Sequence, residues 1–266
     1  MRVYVQPHGR LLHLIEGIKA LGRDALVELG QAADACVLWG YRMALDTQAA
    51  GNVKGQLVVA DKGLMRRPSV MLGLESWGAK ARWHEPFPRK PELEPWRYSD
   101  NKTALIVGQE PRDFSTLQVV KNYHLWLRDT KRALEAQGWT VLYREHPRML
   151  IEAPRNVPRP GPLGDDFDKV SLVVGLTSSA LVEALRIGLP VVAVGEHCFA
   201  HELGTSLEKP SLEEPEGREE FFKRLSGLSW TYAELASGQA WEVVREELMA
   251  PPADQEKPAK RSRTRA

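Results

Sequence analysis

The sequence predicts an α/β protein of two Rossmann-like lobes, with mostly parallel sheets and a cleft between them. Three observations carry this. Short, wholly apolar, β-branched runs recur along the chain, as expected of strands buried on both faces. Each run gives way to a polar loop, and most are then followed by a helix-forming stretch. In mid-chain the alternation is interrupted by Pro86, Pro88, Pro91 and Pro95, with charged residues between them.

In chain order, Val3, Tyr4 and Val5 mark a first strand that runs into the polar loop Gln6-Pro7-His8-Gly9-Arg10. Leu12, Ile15 and Ile18 then share a helical face over residues 11–21, closed by Gly22. Residues 35–39 and 57–60 are further buried-strand runs, the second ending at Asp61-Lys62-Gly63. These elements make an N-terminal lobe over residues 1–85. A proline-rich, exposed linker follows over 86–102.

A C-terminal lobe is expected over 103–228. Residues 104–107 form its first strand, followed by one long helix over 117–137 and a strand over 140–143. The most informative stretch is 170–194. Val170 to Val174 reads as a strand, Thr177-Ser178-Ser179 as a turn, residues 180–187 as a helix and 191–194 as a second strand. Gly188 and Pro190 stop the helix. This is a βαβ unit, so the two strands should be parallel neighbours joined by a right-handed crossover. Charged residues 213–225 read as helical. Residues 229–249 read as terminal helices packing back on the lobes, with Gly238 dividing them. The tail, 250–266, is rich in proline and charge and is expected to be disordered.

Composition narrows the function. With 266 residues the chain can bury a substantial core. The net charge is +1, so no global attraction to polyanions follows, but residues 254–266 carry an excess of three positive charges. Cys36 and Cys198 do not suggest a disulfide framework. No apolar stretch is long enough to span a bilayer and no signal-peptide pattern opens the chain, so a cytoplasmic location is expected. Walker-type loops, dinucleotide fingerprints and the Gly-x-Ser-x-Gly elbow are absent from the sequence, which removes support for nucleotide hydrolysis, hydride transfer and esterase chemistry. His197, Cys198 and His201 lack a clear further partner, so no metal is expected.

The polar loops at the strand ends gather the chemistry. Ser178 or Ser179 caps a helix whose free N–H groups and dipole favour an anion. Glu183, one turn on, can reach a ribose hydroxyl; the plainer alternative is a capped helix with a solvated glutamate. His146, between Arg144 and Arg148, suits a phosphate oxygen and the charge building on a departing phosphate, although both arginines can equally be solvated. Asp113, beside Ser115, is either a general base for an acceptor hydroxyl or an Asx cap on the following helix. Glu110 is the alternative base.

Gly108-Gln109 with Asp113 and Ser115, then His146-Pro147, then Thr177-Ser178-Ser179 with Glu183-Ala184-Leu185 and Gly188-Leu189-Pro190, together resemble bacterial capsule-polysaccharide glycosyltransferases of the Kdo-transferase type. Sialyltransferases with His-Pro and Ser-Ser motifs are more distantly similar. The resemblance covers residues 104–195 and implies the GT-B fold, with a nucleotide-sugar donor held mainly by the C-terminal lobe. It implies that His146, Ser178 and Ser179 hold the donor phosphate and that Asp113 is the base. The chain departs from the capsule pattern at Glu110-Pro111-Arg112, where an acidic pair is often found. Asp61-Lys62-Gly63-Leu64 with Arg67 and Ser69, and Trp230 to Leu235 followed by Gly238-Gln239-Ala240-Trp241, resemble short phage-encoded members of the same superfamily.

The expectation is therefore a glycosyltransferase using a UDP- or CMP-linked sugar, with no cofactor required. Catalysis falls to Asp113 and His146. Donor contacts fall to Gln109, Ser115, Arg144, Arg148, Thr177, Ser178, Ser179 and Glu183. Acceptor contacts fall to His8, Arg10, Lys62, Arg66 and Arg67. The basic tail and the phage-like segments tilt the acceptor towards a 5-hydroxymethylpyrimidine in DNA, which would be flipped out to react. A saccharide acceptor is the alternative; a non-catalytic binding module and a sugar-nucleotide epimerase are the others.

Overall fold

A computed structural model describes residues 1–49, 55–65, 68–99, 101–151 and 161–250. Strands β1 (Arg2–Val5), β2 (Ala25–Val27), β3 (Ala35–Trp39) and β4 (Gln56–Lys62) form a parallel sheet in the order β2-β1-β3-β4. Helix α1 (Leu12–Leu21) follows β1, and α2 (Tyr41–Ala49) follows β3. Two antiparallel strands extend this sheet beyond β4: β5 (Ser69–Leu74), and β10 (Trp230–Thr231) from far along the chain.

The second sheet is wholly parallel. It comprises β6 (Thr103–Val107), β7 (Thr140–Arg144), β8 (Leu172–Gly175) and β9 (Val191–Ala193), in the order β7-β6-β8-β9. Its helices are α3 (Phe114–Val119), α4 (Tyr123–Ala136), α5 (Pro147–Ile151), α6 (Leu163–Phe167), α7 (Ser179–Arg186) and α8 (Arg218–Leu228). The chain then returns through β10 to α9 (Tyr232–Ala236) and α10 (Gln239–Met249), which pack on α1. The fully buried Trp230, Trp241 and Val244 fill the same core as Val3, Leu14 and Val37. The terminal helices thus complete the N-terminal lobe.

The βαβ unit over residues 172–193 has the expected form, with Ser178 as the cap of α7. The single helix expected over 117–137 is instead two. Val120 is extended, and the Asn122 side chain accepts the Leu125 N–H at 3.0 Å to start α4 afresh. An asparagine cap beside two β-branched valines outweighs the helical periodicity.

The proline-rich connection is extended and exposed at most of its described positions, but it is pinned to the second lobe at several points. Trp96 is buried and its Nε1 donates to the Leu212 carbonyl at 2.9 Å. Phe87 N–H reaches the Gly227 carbonyl, and Arg97 N–H the Gly188 carbonyl. Arg89 donates to the carbonyls of Ser226 and Ser229 and lies over the Trp230 ring. The chain's outward and return crossings between lobes therefore lie side by side. Among the described residues, no helix is long and apolar enough to cross a membrane.

Candidate functional site

Parallel strands present their carboxyl ends on one edge, where ligands collect in open α/β sheets. Here two such edges contribute to one cleft. Its first cavity, about 310 Å³, is lined by Gly108 after β6, His146 after β7, and Ser178, Ser179 and Glu183 at the start of α7. Lys62, at the end of β4, reaches in from the opposite lobe.

The backbone enters this cavity closely. A Cβ on Gly108 would lie 2.7 Å from the Arg144 carbonyl oxygen and 2.8 Å from the Tyr143 hydroxyl, so no larger residue fits without displacing β7. Ser178 caps α7, its Oγ accepting the Ala180 N–H at 3.2 Å. The N-terminus of α7, with its positive dipole end, is therefore turned to the cavity. His146 Nδ1 accepts the Arg148 N–H at 3.3 Å. A neutral imidazole so engaged carries its proton on Nε2 and offers it as a donor.

A second cavity of about 240 Å³ adjoins the first, since Lys62, Ser178 and Ser179 line both. Asp61, Trp77 and Trp83 come from one lobe; Thr177, His197 and Phe199 come from the other. Trp77 stacks on His197, with ring centroids 4.7 Å apart and planes 10° from parallel. Ala79 N–H donates to the His197 carbonyl at 3.0 Å, and Lys80 pairs with Glu196 at 2.7 Å. These contacts close one end of the cleft.

Asp61 was expected only as the start of a cleft-lining loop over 61–67, with no individual role. Part of its side chain meets solvent, yet protein from both lobes crowds it. That loss of water pushes its pKa above the ordinary aspartate range, and the charge of Asp113 adds to the push. The Lys62 N–H, Arg10 and Lys62 oppose it. Asp61 is therefore close enough to Asp113 to feel its charge. The sequence signal was only the polar end of a strand, Asp61-Lys62-Gly63.

Several expected donor contacts have other partners. Gln109 is buried and lines neither cavity; its side chain holds Leu176 and Thr177. Arg144 lines the first cavity, but its guanidinium is bound by Asp166 and by the carbonyls of Gly161 and Pro162. Arg148 pairs with Glu110 at 3.0 Å, and Glu183 with Arg186 at 2.8 Å. Asp113 caps α3, accepting both the N–H and the hydroxyl of Ser115, which occupies Ser115 as well. The structure thus shows Asp113 as the cap of α3, and Asp113 lines neither cavity.

On the other lobe, Lys62 lines both cavities, whereas His8 and Arg10 line neither. His8 stacks on Trp39 at 4.6 Å, and the Arg10 guanidinium lies 4.9 Å from that ring's centroid. Arg66, Arg67 and the tail over 254–266 lie outside the described residues. His197, Cys198 and His201 have separate surroundings: His201 Nδ1 lies 2.6 Å from the Ala193 carbonyl oxygen, and Cys198 is buried. Among the described residues, no three His, Cys, Asp or Glu side chains cluster as a metal site would need.

No protein-family model matches the chain, and no curated protein matches it. Solved structures do. One is the β-Kdo 2,7-transferase of Thermosulfurimonas dismutans KpsC, at 14% identity and a TM-score of 0.50, over 91% of this chain and 99% of that one. Another is the β-Kdo 2,4-transferase of the same KpsC, at 14% identity and a TM-score of 0.47, over 90% and 89%. The first likeness, with two facing sheets of mostly parallel strands, establishes a GT-B-like fold of two Rossmann-like lobes.

Proposed function

We propose that this protein is a glycosyltransferase that moves a sugar from a nucleotide-sugar donor to a hydroxyl of a saccharide. The observation that carries the reading is the first cavity, where the start of α7, the Nε2 side of His146 and Lys62 converge. A fold shared with a structure named as a Kdo transferase supports it.

In this reading the donor phosphate sits at the N–H groups heading α7, with Ser178 and Ser179 beside it. His146 Nε2 donates to a phosphate oxygen, and Lys62 balances the charge that grows on the departing nucleotide. Helix dipole and protein cations supply this stabilisation, so no metal is needed. Asp113 and Asp61 share the work on the acceptor proton, one capping α3 and the other held at raised proton affinity. Donors linked to CMP or UDP both fit this scheme.

A saccharide acceptor is preferred to DNA. Cations around the cleft are matched by acids: Arg148 by Glu110, Arg144 by Asp166, Lys80 by Glu196. Such pairs leave little charge for counterion release on a polyanion. The DNA reading rests on the tail and on Arg66 and Arg67, outside the described residues, and on segments whose Trp230 and Trp241 are buried core.

The test is nucleotide release from a panel of CMP- and UDP-sugars, with and without saccharide acceptors, alongside thermal shift by CMP and UDP. Acceptor-dependent release is expected, falling about a hundredfold in His146→Ala. Its pH profile should show an acid limb above the ordinary aspartate range that is lost in Asp61→Asn. No shift by any nucleotide or nucleotide sugar would sink the reading, and release that needs no acceptor would favour an epimerase.

A further inference from the structure

His146 is held at two points. Its backbone N–H donates to Glu145 Oε1 at 2.9 Å, and its ring Nδ1 accepts the Arg148 N–H. Glu145 Oε1 is held in turn, because the Tyr143 hydroxyl also donates to it, at 2.9 Å. Behind Tyr143 stands Tyr123, with its hydroxyl 3.5 Å away and accepting the Gln109 N–H at 3.0 Å. With the Tyr143 proton committed to Glu145, Tyr123 is the donor in the contact between the two phenols. The bonds therefore run in one direction, from the loop after β6 to the loop after β7. Gly108 makes room for the crossing: a Cβ there would lie 2.8 Å from the Tyr143 hydroxyl and 3.1 Å from the His146 nitrogen.

Resting on the transferase reading for the role of His146, we propose that Tyr143 is a positioning residue for His146, acting through Glu145. The phenol fixes the carboxylate, the carboxylate fixes the His146 backbone, and the ring then keeps Nε2 turned to the donor phosphate. Tyr143 and Tyr123 line neither cavity, so they touch no ligand there. Tyr143 is 42% exposed, which makes apolar burial a small part of what it contributes. Protein crowding its hydroxyl, with Tyr123 and the Glu145 carboxylate beside it, raises its pKa, so the proton stays in place to be donated. Without the phenol oxygen Glu145 is free to turn, the peptide ahead of α5 loosens, and the Arg148 N–H no longer holds Nδ1 as an acceptor. The imidazole proton then divides between the two nitrogens.

The experiment is Tyr143→Phe in the full chain, read by heteronuclear NMR of the histidine rings and by titration with CMP and UDP. The spectra are taken at about pH 8, where an ordinary imidazole is neutral, and the His146 signals are assigned by their loss in His146→Ala. The parent should show His146 with its proton on Nε2. Tyr143→Phe should shift it to a mixture of tautomers and weaken nucleotide binding about tenfold, the worth of one hydrogen bond. Glu145→Leu should give the same loss, and the double variant no more. Glu145→Gln, which keeps an accepting oxygen, should stay close to the parent tautomer. If Glu145→Leu does not fold, Tyr143→Phe and Glu145→Gln carry the comparison. A lower melting temperature in Tyr143→Phe with tautomer and affinity unchanged would make the network purely structural and overturn the proposal. Losses that add in the double variant would also overturn it, since Tyr143 would then act by another route. If neither nucleotide binds the parent, the transferase reading falls, and the tautomer alone decides whether Tyr143 positions His146.

Discussion

The side chain of Gln109 holds Thr177 from two sides: its Oε1 accepts the Thr177 N–H at 2.7 Å, and its Nε2 donates to the Thr177 hydroxyl at 2.9 Å. The same Oε1 accepts the Leu176 N–H at 3.1 Å. One amide thereby ties the loop after β6 to the turn that launches α7. Gln109→Leu leaves these buried groups without partners and should cost about 3 kcal/mol, measured by denaturant unfolding. Gln109→Glu keeps the accepting oxygen and should cost less. Equal losses would show that packing, not hydrogen bonding, is the role of this side chain.

Helix α1 meets the terminal helices at Gly17. A Cβ there would lie 2.0 Å from the Leu235 carbonyl oxygen and 2.7 Å from the Gly238 nitrogen. Both obstacles are backbone, so Gly17→Ala must push the helices apart, at a cost of about 2 kcal/mol or more. Gly164, in α6, has open space at the same position, and Gly164→Ala should be neutral or stabilise by up to about 1 kcal/mol. Thermal melting of the two variants tests the contrast.

His84, at the crossing between lobes, is buried, and its Nε2 accepts from the Trp230 indole at 3.2 Å. Its Nδ1 lies 2.7 Å from the Glu85 carbonyl oxygen and therefore donates to it. Burial, with a smaller contribution from Arg89, outweighs the Glu85 bond and Glu247 and lowers its pKa. The unfolded chain then binds the proton more readily. Stability should fall as pH drops from about 6.5 towards the folded-state value. His84→Gln should flatten that part of the curve of melting temperature against pH; an unchanged slope would assign the loss to other groups.

Cys36 and Cys198 are both buried, and burial pushes each thiol up to about 11. Neither should react with a disulfide reagent at pH 8 in the native protein, and both should react in denaturant. Rapid native labelling would show that the cleft wall around Cys198 opens.

The parts legible in the sequence were those fixed by neighbours in the chain. The βαβ unit over 172–193 announces itself through apolar runs, a serine cap and the Gly188-Leu189-Pro190 stop. The strand at Ala35–Trp39 was equally plain. Long-range pairings left no such mark. Strand β10 is two residues long and depends on β5, about 160 positions earlier, so nothing local distinguishes it. The site divides in the same way. Ser178, Ser179 and His146 were visible as strand-end polar residues and do line the cleft. The assignments of Arg144, Arg148 and Gln109 turned on partners 22, 38 and 68 residues away. Asp61 gains its character only when the second lobe stands opposite it.

The return of the chain to its first lobe also sets an order of assembly. During synthesis, strands β1 to β5 leave the ribosome first, but Trp230, Trp241 and Val244, which fill their core, are still to be made. The second sheet and its helices form one unbroken stretch that is complete at residue 228, so it can settle while the earlier strands wait. The lobe that is made first is the lobe that is finished last.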